Sequence, residues 1–300
     1  MKKKQLLGSG LLLVTAVIWG MAFAFQRVGM DHIGPVTFTA SRMTLSAAAV
    51  LIFSFFCKRR SDFADEKEKK KYRSSTITGG ICCGIFLTSA SIMQQAGIVY
   101  TTAGKAGFIT SLYMLLVPVA SFVFFKKRHA LNVWIAVFIG VIGMYLLCMS
   151  DSLTLSQGDG LVFICAVLFC GHILCCGHFA GRGDPVRISA VQFVTGALIS
   201  WIVVFIMESP DIGDIMEAAI PVLYCGIASG GIGYTLQIIG QKYTEPTIAA
   251  LIMSLESVFA VIGGVIILCE NMSARETAGC IIIFLAIILV QNKKEELNIK

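Results

Sequence analysis

The chain is a succession of apolar runs, each near the length of a bilayer crossing, separated by short polar breaks. A hydrocarbon core about 30 Å thick takes roughly 20 apolar residues in a helix. The runs fall at 6–26, 35–57, 76–97, 103–125, 131–149, 158–179, 187–207, 217–238, 246–268 and 275–291. This pattern predicts an all-α membrane protein with ten transmembrane helices. Composition supports it: 56% of the residues are hydrophobic, 14% are charged, and the mean hydropathy is +0.82. A soluble domain carries roughly 25% charge, and a soluble core of this chain length would not bury so much apolar surface. A disordered chain would lack the aliphatic residues.

Charge gives the orientation. Placing the N-terminus in the cytoplasm puts 20 of the 24 Lys and Arg on the inner side, at Lys2–Lys4, Lys58–Arg73, Lys126–Arg128, Arg182, Arg187, Lys242, Lys293, Lys294 and Lys300. The other four are Arg27, Arg42, Lys105 and Arg275, and the outer loops Asp151–Asp159 and Glu208–Asp214 are acidic or neutral. The positive-inside rule then makes both termini cytoplasmic. The expected location is the cell membrane, with residues 1–5 and 292–300 as cytoplasmic tails. Lys2–Lys4, the first run and the Ala22/Ala24 pair have the form of a signal peptide, but the repeat described next requires this segment as a permanent helix. The net charge of +6 sits in bursts between apolar runs rather than on one soluble face, so no nucleic-acid partner is expected.

The chain repeats itself. At an offset of 150, Gly10, Leu11, Ala16, Val17, Pro35, Val36, Ala40 and Ala47 fall on Gly160, Leu161, Ala166, Val167, Pro185, Val186, Ala190 and Ala197. At 143, Gln94, Gly97, Tyr100, Thr101, Ala106, Ile109, Ser111 and Leu112 fall on Gln237, Gly240, Tyr243, Thr244, Ala249, Ile252, Ser254 and Leu255. The change of offset is absorbed by the longer charged loop around Ser61–Ser75. The halves are 6–149 and 158–291, with five helices each. An odd number inverts the second half, so the prediction is two inverted five-helix repeats, an architecture found in secondary transporters with a site near the midplane.

The first helix reads A-V-I-W-G-M-A-F (Ala16–Phe23), Pro35 is followed seven residues later by Arg42, and the ninth run reads S-L-E-S-V-F-A (Ser254–Ala260), followed by Glu270 and Gly279. This duplicated layout resembles the EamA family of the drug/metabolite transporter superfamily across essentially the whole chain. Two positions depart from the family pattern: Ser257 stands where a Pro often follows the Glu, and Lys127 where the fourth helix often ends in Glu. The resemblance implies a permease for small organic metabolites, with amino-acid export as the reading carried forward.

Six residues are candidates for substrate binding or coupling. Glu256 lies midway along the ninth run, where a charge costs roughly 2.5–3.5 kcal/mol on insertion scales. It is read as a proton relay or a cation-binding group, or else as an interhelical hydrogen bond that locks the bundle. Arg42 keeps its charge and is about 10 Å along its helix. It is expected to snorkel to the outer headgroups, with a substrate carboxylate or Glu256 as alternative partners. Gln94 and Gln237 are repeat equivalents that line a cavity or join helices. Trp19 and Tyr113, with Phe23, are candidates for an aromatic wall. Lys105 is expected to snorkel.

His172, Cys175, Cys176 and His178 suggest a metal, but one helix does not readily close a four-ligand site from those positions, and no metal is expected. The remaining cysteines read as small apolar residues, and Gly226, Gly230, Gly231 and Gly233 as close-packing positions. No phosphate-binding G-x-x-x-x-G-K-[ST] loop and no cofactor are predicted. The predicted partners are a small solute, the lipid bilayer and, through Glu256, protons. The rival readings are a membrane-embedded lipid-modifying enzyme, which would need a cluster of His, Asp or Ser at one interface, and a non-transporting scaffold.

Overall fold

The computed structural model describes residues 2–57, 62–101, 103–148, 156–267 and 272–292. The side chain of Lys105, Glu270, the Lys58–Ser61 start of the basic loop, residues 151–155 of the acidic loop and the 293–300 tail lie outside them. Among the described residues the chain is helical, with no strand. In order the helices are α1 (Lys2–Gly29), α2 (Pro35–Phe56), α3 (Glu66–Ile98), α4 (Ala103–Ser111), α5 (Tyr113–Phe125), α6 (Leu131–Cys148), α7 (Gln157–Phe179), α8 (Pro185–Met207), α9 (Ile212–Glu217) and α10 (Ala219–Leu223). A π-helical stretch (Tyr224–Tyr234) follows, then α11 (Thr235–Gln241), α12 (Pro246–Met253), α13 (Glu256–Ile267) and α14 (Ala274–Asn292).

Among the described residues, eight stretches are long and apolar enough to cross a membrane: α1, α2, α3, the broken run Ala106–Phe125, α6, α7, α8 and the run Ala219–Gln241. A shorter apolar helix, Pro246–Ile262, comes next. The bundle is apolar outside and encloses polar side chains within a largely apolar core. Phe55, Phe124, Phe205 and Ile206 are exposed, whereas Thr15, Gln95, His172 and Gln192 are buried. Water would not favour that arrangement, but lipid does, and the protein is a multi-pass membrane protein.

Helix ends follow local chemistry. Pro35 and Pro185 open α2 and α8 with their ring-fixed φ. Asp184 caps α8, its Oδ1 accepting from the amides of Val186 (3.1 Å) and Arg187 (3.2 Å). Helix α3 begins ten residues before its apolar run. The Asp65 carboxylate caps the Glu68 amide at 2.6 Å and Glu66 pairs with Lys69, so the charged loop is helical without being buried.

Close approach explains the glycine content at specific crossings. A Cβ on Gly143 would stand 2.9 Å from the Gly279 carbonyl, and one on Gly279 would stand 2.7 Å from that of Gly143. Helices α6 and α14 therefore meet backbone to backbone. The remaining pairings that matter to the site are α3 with α7 and α8, α2 with α8 and the π stretch, and α1 with α11, α13 and the π stretch.

Candidate functional site

Two apolar helical runs break partway along their length, and each break presents one polar side chain. The α4–α5 run is interrupted at Leu112, so Tyr113 opens α5. The ninth run is interrupted at Ser254 and Leu255, so Glu256 opens α13. No proline is needed there, so Ser257 in place of the family's Pro does not remove the discontinuity. The Ser254 hydroxyl donates to the Leu251 carbonyl at 2.8 Å, satisfying a backbone group near the interruption. The two breaks meet. Tyr113 Oη donates to Glu256 Oε1 at 3.1 Å, and the Ser111 and Ser257 hydroxyls lie 3.0 Å apart.

The π stretch supplies the opposite wall. Its wider turn leaves carbonyls for neighbouring helices. Gly233 accepts from Thr15 Oγ1 (3.2 Å), Ser229 from Trp19 Nε1 (3.2 Å) and Gly226 from Ser46 Oγ (2.7 Å). Trp19 also packs on Tyr234 with ring centroids 4.5 Å apart. The glycines read as packing residues lie on this stretch, where α1 and α2 come close.

Between the breaks and the π stretch is a buried cavity. All six candidates, Trp19, Arg42, Gln94, Tyr113, Gln237 and Glu256, line it. Phe23, Gln26, Thr110, Phe169, His172, Ser229 and Tyr234 are among the residues completing the wall. Arg42 corrects the sequence reading. It is only 6% exposed and faces the cavity rather than the headgroups, because α2 is packed against both α8 and the π stretch. Arg42 and Glu256 share the cavity without pairing to each other among the described residues, and Arg42 Nε has no hydrogen-bond partner. Gln26 Oε1, His172 Nδ1 and Gln237 Oε1 are likewise buried and unpartnered there. Buried polar atoms normally find partners. Four that do not, around one cavity, form a surface suited to a polar guest. Gln94 donates to Thr110 Oγ1 at 3.2 Å, so it is held in place.

The cavity is narrow, about 40 Å³. That is room for a few waters, well below the several hundred Å³ of a metabolite pocket. Hydrogen bonds or ion pairs close the bundle at both ends. At one end the Glu208 carboxylate accepts from the α2 amides of Val36 (3.0 Å) and Thr37 (2.8 Å) and from the Thr37 hydroxyl (2.6 Å). At the other, Lys127 pairs with Glu245 at 3.6 Å beside His129. Lys127, at the second departure from the family pattern, therefore has a carboxylate partner. His178 is apart from the cavity, at the exposed end of α7 beside Arg182.

A lipid-facing helical bundle around a small cavity lined by buried polar side chains is compatible with a membrane transporter. The EamA-like transporter family model matches residues 6–149 and again 156–291, and the chain belongs to that family. It is 30% identical over 282 residues to an uncharacterized transporter of Archaeoglobus fulgidus, covering 94% of this chain and 84% of that protein. A second uncharacterized transporter of the same organism is 21% identical over 284 residues, covering 94% and 98%. A protein of known crystal structure superposes with a TM-score of 0.75 at 16% identity, covering 94% of this chain and 96% of that one, a likeness of fold. These relatives set the chain among transporters rather than enzymes.

Proposed function

We propose that the protein is a secondary transporter for small zwitterionic metabolites of the amino-acid class, working by alternating access between two inverted five-helix halves in the cell membrane. The observation that carries the substrate class is the presence of two opposite charges, not paired to each other, on the wall of one aromatic cavity. Arg42 offers a fixed cation for a carboxylate, Glu256 offers an anion for an ammonium group, and Trp19, Phe23, Phe169 and Tyr234 offer a wall for an apolar side chain.

The lining also supports the inverted repeat. Under the offset of 150, Trp19, Ala22 and Phe23 correspond to Phe169, His172 and Ile173. Under 143, Gln94 and Tyr113 correspond to Gln237 and Glu256. All ten line the cavity. The two helix breaks, at Leu112 and Leu255, are equivalent as well. Helix pairing is reciprocal: α3 meets α7 as α11 meets α1, α5 meets α7 as α13 meets α1, and α2 with α8 and α6 with α14 pair across the axis. Adding α12–α13 and α14 to the eight long spans makes ten crossings. Ten crossings together with the Lys and Arg pattern support cytoplasmic termini. A cavity this narrow, with contacts holding the helices at both ends of the bundle, supports a nearly closed state of such a carrier, from which either end opens.

Coupling runs through Glu256, which binds either a proton or the substrate ammonium. The test is flux in proteoliposomes with labelled amino acids, nucleosides, sugars and polyamines, with and without a pH gradient. Saturable flux of an amino acid, accelerated by the gradient, is expected. Glu256→Gln removes the anion that takes either the proton or the ammonium, so it should raise the half-saturation concentration for the zwitterion and lose the acceleration. Folded protein that moves no zwitterion would overturn the substrate class, and unchanged acceleration in the variant would overturn the coupling.

A further inference from the structure

Below the cavity, on the side of the Lys58–Arg73 loop, a second helix supplies what the α7 cluster lacks alone. Cys83 on α3 stands with its Sγ 3.6 Å from Cys176 Sγ, and Cys176 Sγ is 3.5 Å from His172 Nε2. The three ligand atoms lie within 4.8 Å of one another, and all three residues are buried. In a tetrahedral Zn²⁺ site with bonds of about 2.3 Å to sulfur and 2.0 Å to nitrogen, sulfur atoms stand about 3.8 Å apart and sulfur and nitrogen about 3.6 Å apart. The two closest separations match those spacings. Ordinary packing does not require two thiols and an imidazole to converge on one point.

We propose that Cys83, His172 and Cys176 bind a Zn²⁺ ion that joins α3 to α7 beneath the cavity. The Gln192 amide takes the fourth position. Its Oε1 is 2.8 Å from His172 Nε2, and Gln192 Nε2 and His172 Nδ1 are both buried without partners among the described residues. Binding converts two thiols to thiolates and releases two protons to water. In the metal-free geometry His172 Nε2 donates to Gln192 Oε1, so binding also moves that ring proton to Nδ1, which frees the Nε2 lone pair and the Gln192 oxygen for the metal.

Charge selects the ion. Two thiolates cancel Zn²⁺, so the complex is neutral, whereas Cu⁺ between the same ligands is left with a net negative charge. The surroundings favour neutrality: Ala180, Ile188 and Ile238 pack around the two cysteines. His172 belongs to the cavity wall as well, so metal and substrate would sit against opposite sides of one ring. Cys175, the neighbouring cysteine in the sequence motif, is not part of the trio. The proposal does not depend on the transport reading, since its readout is binding.

The experiment is Zn²⁺ titration of the purified full chain in detergent, followed by metal analysis after gel filtration and X-ray absorption at the zinc edge. One equivalent with a shell of two sulfurs and two nitrogen or oxygen atoms is expected. Cys83→Ser and Cys176→Ser should each lose that equivalent. Cys225→Ser, on the π stretch and away from the trio, should keep it. A shell without sulfur, no retained zinc, or retention of Cu⁺ alone would overturn the proposal. The absorption shell is read on the unaltered protein, so the test stands even where a serine variant fails to fold. Zinc retained by both folded serine variants would also overturn it.

Discussion

At the scale of single residues, every candidate taken from the sequence faces one cavity, but one was read for the wrong surroundings. Glu256, Gln94 and Gln237 are polar groups in apolar runs, and the cost of exposing them to lipid turns them inward. Arg42 is equally polar, yet its distance from the helix end allowed a headgroup contact. Which helices flank α2, and so which way Arg42 turns, is a tertiary fact that helical spacing does not carry. The same limit hid Cys83 from the α7 cluster, since the sequence shows which side chains share a helix face but not which helix lies opposite. Tyr113→Phe keeps the ring and removes only the hydroxyl bonded to Glu256. A hydrogen bond to a charged group contributes about 1.5–3 kcal/mol to stability, so the melting temperature should fall by several degrees, and flux should fall as well because Glu256 loses a partner. Unchanged flux with a lowered melting temperature would make Tyr113 a structural lock. His129 offers a pH prediction outside the membrane. Burial lowers its pKa below the ordinary 6.5, Glu245 opposes the shift, and Lys127 adds to it. The folded protein thus resists protonating His129. Its contribution to stability is complete above the ordinary value and is lost as the pH falls through the lowered folded value. The melting temperature should therefore drop on acidification from pH ~7.5 to ~5.5, and His129→Gln should make that drop shallower.

At the scale of elements, eight of the ten expected runs appear among the described residues as helical stretches long and apolar enough to cross a membrane, because apolar length alone selects them, and the repeat offset assigned the equivalent turns at Pro35 and Pro185. The interruptions were not legible. Leu112 and Leu255 have good helix propensity. The breaks coincide with contacts between the two runs, Tyr113 with Glu256 and Ser111 with Ser257, which helix propensity does not encode. The π stretch is similar: its glycines announced close packing, but the wider pitch depends on Thr15, Trp19 and Ser46 reaching its carbonyls from α1 and α2. The charged start of α3 escaped a reading based on apolar runs because its helix rests on a cap. Asp65→Ala should cost about 1 kcal/mol and speed amide exchange over residues 66–69 without altering the transmembrane part. Gly279→Leu should do the reverse of a surface change. It forces α6 and α14 apart and should destabilise the protein by about 1–3 kcal/mol or more, read as a lowered melting temperature in detergent.

At the scale of the whole molecule, duplication and charge asymmetry are properties summed over many residues, which is why a single sequence displays them even though individual matches are weak. Closure is different, because it depends on a few long-range contacts at each end. Glu208 closes α8 onto the start of α2 across 171 residues, and Glu245 holds the α5–α6 loop from the start of α12. If the halves exchange conformations, these contacts cannot both persist: opening one end must release Glu208 from Thr37, and opening the other must release Glu245 from Lys127. Removing one contact should therefore favour opening at its own end alone. The Glu208 carboxylate acts as a cap on α2, and loss of a cap costs about 0.5–2 kcal/mol, enough for a severalfold shift between closed and open forms. In hydrogen exchange on membrane-embedded protein, Glu208→Ala should accelerate the start of α2 and the cavity-facing part of α1 while leaving the start of α12 protected. Glu245→Ala should accelerate the start of α12 and leave the start of α2 protected. Acceleration at both ends in either variant would mean that the ends do not alternate, and the protein would then act as a gated pore rather than as a carrier that opens one side at a time.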